Sequence, residues 1–253
     1  MSPRGVEFAV DRGVAVIELD RPDVANAFDL RAARAFGAAV DAASKSEVRA
    51  ISLTGRGARF CGGGDVASFT GPGGGASYMQ LLATELEGHL RRLSALPTPV
   101  VAGVQGAVAG AGLALVLNAD LTVAGASTRF AFAYPSIGLV PDCGVSWLLP
   151  RVIGKARAME MALRGRVLTA EEALNWGLLT EVVDDDSVAA RTAEVAREIA
   201  DSPAASALGQ TRRLLHEAWE TERHLSAADE IKALVREYEG DQAPALISRF
   251  LQR

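Results

Sequence analysis

Two glycine-rich turns stand out as places where backbone could do chemistry: Phe60-Cys61-Gly62-Gly63-Gly64-Asp65, and the stretch from Gly106 to Gly112 with glycines at 106, 110 and 112. Each follows an apolar run of strand type, Ala50 to Thr54 and Val100 to Val104. A glycine turn lets the backbone approach a ligand closely, and amides at a helix start are donors without intrahelical partners. Two such turns aimed at one oxygen would stabilise an enolate or tetrahedral oxyanion, each donor contributing about 3–4 kcal/mol in a dry site. On this reading Gly62 and Ala111 supply the amides. The same glycines would equally let helices pack close to strands, and the residues alone leave both readings open. A phosphate loop is disfavoured, because no G-x-x-x-x-G-K-[S/T] occurs.

The nearby side chains suggest bland roles at first. Asp142, before Cys143-Gly144-Val145, suits a helix N-cap. No histidine is placed by motif to activate Cys143, so it reads as a small buried thiol. His89, His216 and His224 fall on helical stretches and read as surface or packing residues.

The elements that must position these groups follow from patterning. Val6 to Val10 and Val14 to Leu19 flank Asp11-Arg12-Gly13 and predict a hairpin. An alanine-rich amphipathic stretch from Asp29 to about Lys45 predicts a helix with an acidic cap. A helix from Tyr78 to Leu93 leads through Pro97 and Pro99 into strand Val100 to Val104, then helix Gly112 to Asn118 and strand Leu121 to Ala124. Strand, glycine loop and helix thus recur, which predicts an α/β fold of repeated units. Beyond about Val183, helices are expected at Asp186 to Ile199, Pro203 to Glu220 and Leu225 to Glu239, as an appendage for packing or oligomerisation.

Composition limits the function classes. The chain has 253 residues, a net charge of −5 and no basic run, which argues against a nucleic-acid surface. Hydrophobic residues at 49% can bury a sizeable core. Two cysteines and three scattered histidines offer neither a disulfide framework nor a zinc cluster, so no metal is expected and the thiols suggest the cytoplasm. The opening residues do not read as a signal peptide. Val100 to Leu117 just reaches spanning length, but its small residues and glycines read better as buried strand, turn and helix, so no membrane association is expected.

Motifs in order along the chain carry a family resemblance. FCGGGD (Phe60 to Asp65), VQGAVAGAGLALVLNADL (Val104 to Leu121), IGLVPDCGVSWLLPRVIGKARAMEMALRG (Ile137 to Gly165), LDRPDVANAF (Leu19 to Phe28) and AEEALNWGLLTEVV (Ala170 to Val183) resemble the crotonase, or enoyl-CoA hydratase/isomerase, superfamily. The resemblance implies a spiral of ββα units in residues 1–190, a helical trimerisation region in residues 191–253, and action on coenzyme A thioesters as a homotrimer or dimer of trimers. It matches Gly62 and Ala111 to the oxyanion amides. Val24, Ala25, Ala27, Gly63, Gly64, Asp65 and Tyr134 match substrate-binding positions, and Arg253 falls near a basic residue that touches coenzyme A phosphate.

Hydratases of the family use two glutamates to activate water; here those positions are Ala114 and Tyr134. Asp142 instead matches the acid of ring-opening and double-bond isomerases, and GLVPDCGVSWLLPR is similar in motif to the ring-1,2-epoxyphenylacetyl-CoA isomerase-like members. The resemblance therefore implies an isomerase with Asp142 as proton shuttle and no cofactor beyond the substrate's own coenzyme A. Alternatives are hydration of a 2-enoyl-CoA, Asp142 as a nucleophile on an aryl-CoA, and a non-catalytic acyl-CoA binder or RNA-associated relative. Tyr134 could be core or could donate its hydroxyl.

Overall fold

The structure, a computed structural model, describes residues 5–45, 47–220, 231–232, 234–236, 238–240 and 242–252. Strands β1 (Val6–Asp11) and β2 (Val14–Leu19) form the expected hairpin, Val6 pairing with Leu19 and Asp11 with Val14. Helix α1 (Leu30–Lys45) begins where Asp29 Oδ1 accepts the Ala32 amide at 2.7 Å, an N-cap as the sequence suggested. Next come β3 (Ala50–Gly55), a short α2 (Val66–Thr70), α3 (Ala76–Ala95) and β4 (Val100–Val104). They are followed by β5 (Ala107–Ala109), α4 (Ala111–Asn118), β6 (Leu121–Gly125) and β7 (Arg129–Ala131).

The remaining elements are α5 (Val145–Ile153), α6 (Lys155–Arg164), β8 (Leu168–Thr169), α7 (Ala170–Asn175) and β9 (Glu181–Val183). Helices α8 (Val188–Ala200), α9 (Ala205–Glu220) and α10 (Gln242–Leu251) follow, and the described residues 231–232, 234–236 and 238–239 are helical as well. The expected helix from Leu225 lies partly outside the described residues, as do His224 and Arg253.

One sheet has the order β1-β2-β3-β4-β6-β9, parallel from β2 onward, and a second has β5-β7-β8. The chain climbs by a repeat: a strand in the large sheet, then a short piece paired beside its counterpart in the next unit. Cys61 bridges Val108 after β3, β5 pairs with β7 after β4, and β7 follows β6. Sequence patterning missed these two- and three-residue strands because they are too short to show a period.

Side chains alternate across the large sheet, as strand geometry requires. Val14, Ala50 and Val101 face Ala196 and Ala200 of α8, while Ile17, Ile51, Leu53 and Ala102 belong to the main core with α1, α3 and α4. Helix α8 lies so close that a methyl group on Gly103 would meet Thr192 Oγ1 at 2.2 Å. The expected division after residue 190 falls inside α8, which packs against the large sheet. The apolar run from Val100 to Leu117 is β4, a turn, β5 and most of α4, and no helix among the described residues is long and apolar enough to cross a membrane.

Candidate active site

The two glycine turns meet. Residues 61 and 108 bridge in parallel, and a methyl group on Gly63 would sit 3.2 Å from the Ala109 carbonyl oxygen and 3.6 Å from the Ala111 amide nitrogen. Helix α4 presses against the first turn as well, since a Cβ on Gly112 would lie 2.3 Å from the Cys61 carbonyl oxygen. Gly112→Ala is thus expected to push the turns apart and lower stability by about 1–3 kcal/mol, read by thermal unfolding, because the obstructing atom is backbone and cannot rotate away.

Beside them opens a cavity of about 460 Å³, bordered by Val24, Ala25 and Ala27, the turn from Gly62 through Gly63 and Gly64 to Asp65, then Ala111, Tyr134 and Asp142, all of them candidate site residues. Much of the remaining wall is apolar, including Phe69 of α2, Met79, Leu82, Ala83 and Leu86 spaced along one face of α3, and Leu234.

The geometry corrects one expectation. The Gly62 amide donates to the Ala25 carbonyl at 2.8 Å and is not available to a ligand. Residues 25–28 and 62–65 run side by side, with Phe28 N–H donating to Gly63 O at 2.8 Å and Asp65 N–H donating to Phe28 O at 2.8 Å. In such a ladder alternate peptides face opposite ways. The Gly64 amide consequently points away from residues 25–28 and has no hydrogen-bond acceptor among the described residues. The Ala111 amide, at the first helical position of α4, is likewise unclaimed there, its cap being Gly110 at φ 52°. The geometrically available pair is Gly64 and Ala111, not Gly62 and Ala111.

Asp142 borders the same cavity as these turns. It is not a helix cap: α5 starts at Val145, with Gly144 in the capping position. Tyr134, 7% exposed, donates its hydroxyl to Asp142 Oδ1 at 3.0 Å, so the tyrosine is both wall and polar partner. Asp142 is half-buried in the largely apolar wall of this cavity. Burial therefore pushes its pKa above the ordinary carboxylate value, opposed by the hydrogen bonds of Tyr134 and Cys143. Ala114 is fully buried on α4 and brings no second carboxylate. The other acid on the cavity wall, Asp65, is held by Arg21 Nη2 at 2.9 Å.

Cys143 and Cys61 are buried thiols outside any disulfide. Burial drives the Cys61 pKa up to about 12, which leaves it protonated and inert as a nucleophile. His89 packs against Gly37 of α1, and His216 Nε2 lies 2.8 Å from Asp120 Oδ1; neither borders the cavity.

Backbone strain gathers around the site. Of the five non-glycine residues with positive φ among the described residues, Ala25, Ala133 and Cys143 border the cavity or flank Asp142, and Asn26 lies between Ala25 and Ala27. Such conformations cost about 1–3 kcal/mol each and persist where the surroundings impose them. No local motif announces them, since alanine and cysteine have no preference for that region.

The comparisons with known proteins agree with this architecture. The sequence profile of the family described as enoyl-CoA hydratase/isomerase matches residues 9–242. The chain belongs to that family. It is 39% identical over 197 residues to the 1,2-epoxyphenylacetyl-CoA isomerase of Escherichia coli K12, covering 77% of this chain and 75% of the relative. It is 43% identical over 185 residues to a probable enoyl-CoA hydratase of Rhodobacter capsulatus, covering 73% and 71%. The crystal structure of an enoyl-CoA hydratase from Mycobacterium avium subsp. paratuberculosis K-10 superposes with a TM-score of 0.89 at 29% identity, covering 98% of this chain and 100% of that one. This member of the enoyl-CoA hydratase/isomerase family therefore has the crotonase fold, an enzyme family acting on acyl-CoA thioesters.

Proposed function

We propose that this chain is an acyl-CoA isomerase that shifts a double bond, or opens a strained ring, through a thioester enolate. The observation that carries the reading is one carboxylate, Asp142, on the wall of the cavity that also holds the amides of Gly64 and Ala111, which have no acceptor among the described residues, with no carboxylate at position 114 or 134. The thioester oxygen would accept from both amides. Asp142 would take a proton from a carbon of the conjugated system, and the electron pair would move onto that oxygen to give a dienolate. The same acid would return the proton at another carbon. One carboxylate with a raised pKa suits both halves of this exchange. Coenzyme A enters only as part of the substrate, and the apolar wall of α3 and Phe69 favours an acyl group without polar substituents.

Hydration instead requires a water to be held and deprotonated, and alanine and tyrosine at the two family positions cannot do so as a carboxylate pair. Product analysis by chromatography and mass spectrometry decides between the readings, using 2-enoyl-, 3-enoyl- and ring-epoxide acyl-CoA thioesters in deuterated water. Isomers without added water are expected; a hydrated product as the main species would overturn the proposal.

Tyr134→Phe supplies an independent expectation. The hydroxyl bond favours the charged form of Asp142, so its loss moves the carboxylate pKa further up. The ionised base is then reached only at higher pH. The acid limb of kcat/KM against pH is expected to shift alkaline, with activity recovering above it; an unmoved limb would show that Tyr134 serves only as wall.

For the assembly we propose a homotrimer or dimer of trimers. Leu208, Leu214 and Leu215 of α9 are exposed at 40%, 58% and 66%, beside a second apolar cavity of about 600 Å³, which supports burial against other copies. Two buried cysteines that form no disulfide support a reducing, cytoplasmic setting.

A further inference from the structure

The turn that carries the Gly64 amide contains three consecutive glycines, 62 to 64, with no side chains to hold their conformation. Its shape must be imposed from outside, and two residues do so from opposite ends. Asn26, 3% exposed, holds the entry: its Nδ2 donates to Arg56 O at 2.9 Å and to Arg59 O at 2.8 Å, while its Oδ1 accepts the Arg21 amide at 2.8 Å. Arg21 holds the exit: its Nη2 reaches Asp65 Oδ2 at 2.9 Å and Asp29 Oδ2 at 3.0 Å, and its Nη1 donates to Ala27 O at 2.5 Å. One guanidinium thereby ties the residue after Gly64 to the segment that pairs with it and to the residue capping α1. Its planar fork can satisfy these acceptors together, as an ammonium cannot.

We infer that Arg21, together with Asn26, is a positioning residue that sets where the Gly64 amide points, and so how strongly the site polarises the substrate carbonyl. The inference rests on the proposed role of Gly64 and Ala111 as donors to the thioester oxygen. Arg21 acts through the backbone and need not touch the acyl group.

The test is the ultraviolet spectrum of bound cinnamoyl-CoA, whose absorption moves to longer wavelength when its carbonyl is polarised. The wild type is expected to produce a red shift. Arg21→Met is expected to lose most of it while affinity for the thioester changes less than about threefold and kcat falls roughly 10- to 100-fold, the scale of a small misplacement of a reacting group. Arg21→Lys should recover part of both. Arg34→Met, which removes an exposed pair with Glu85, controls for loss of an ion pair and should leave the spectrum unchanged. If Arg21→Met folds and keeps the full red shift and kcat, the positioning role is overturned. A wild type that binds without any red shift overturns the amide pair itself, and the positioning role with it. Should Arg21→Met fail to fold, Asp65→Asn weakens the same clamp without changing shape; loss of the red shift there supports the role, and a retained one overturns it.

Discussion

Asp142→Asn is expected to lower kcat for isomerisation by roughly 10²–10⁴-fold, the usual contribution of a positioned general base, with KM much less affected. Asparagine keeps the shape and can still accept from the Tyr134 hydroxyl, but it cannot take up and return a proton. The variant should also be more stable than the wild type at neutral pH. The Asp142 pKa lies above its ordinary value in the folded protein, so the native state binds more protons than the unfolded one as pH rises from that ordinary value through the folded pKa. Stability falls across that window and stays reduced above it, because a charge is held in an apolar cavity. The gain in Tm on replacement, about 2–4 °C for each kcal/mol relieved in a chain of this size, should vanish at pH values below the ordinary carboxylate pKa. Unfolding curves across pH, read beside turnover, check both halves. A variant that is inactive yet no more stable at neutral pH would contradict the shielded setting of Asp142, and one that turns over normally would remove it from the chemistry.

Ala111→Pro is expected to lower kcat about 10²–10³-fold, as removal of one oxyanion donor does. The substitution removes the amide hydrogen and puts the ring's Cδ in its place, so the donor is lost and its site is filled. Ala111 is the first residue of α4, where a helix makes no use of its own amide and where proline's fixed φ suits the backbone. Thermal unfolding should therefore change little while turnover collapses, and binding of the coenzyme A moiety should persist. Full activity in a folded Ala111→Pro protein would take this amide out of the mechanism. The contrast with Gly112→Ala is instructive: one position further along the same helix, an added methyl meets the Cys61 carbonyl and the expected loss is of structure.

Much of the framework was legible from residue types. The hairpin around Arg12-Gly13, helix α1 with its Asp29 cap, the strand starting at Ala50 and the buried run from Val100 follow from periodicity and turn chemistry, and the structure has them nearly where the patterning puts them. Order and spacing of motifs marked the family, and the absence of carboxylates at 114 and 134 was plain from the chain alone. The short strands β5, β7, β8 and β9 were not legible, because two or three residues carry no period and form only where a neighbouring strand offers hydrogen-bond partners. The covering role of α8 was also hidden: its apolar face says that it packs, but not on which layer.

The decisive difference concerns the glycine turn. Residue types identify Phe60 to Asp65 as a place where backbone donors approach a ligand, and Asp142 as the one acid of its motif. They do not say which of three successive glycine amides is free. That depends on residues 25–28, far away in sequence, which take the Gly62 amide and leave Gly64 facing the cavity. Likewise, Tyr134 and Asp142 are eight positions apart, and the folded backbone, left-handed at the neighbouring Ala133 and Cys143, has hydroxyl and carboxylate 3.0 Å apart. The chain by itself determined the chemical groups and the family. Tertiary structure decided which amides and which hydroxyl remain available, because a hydrogen bond can be spent only once and its partner is chosen in space.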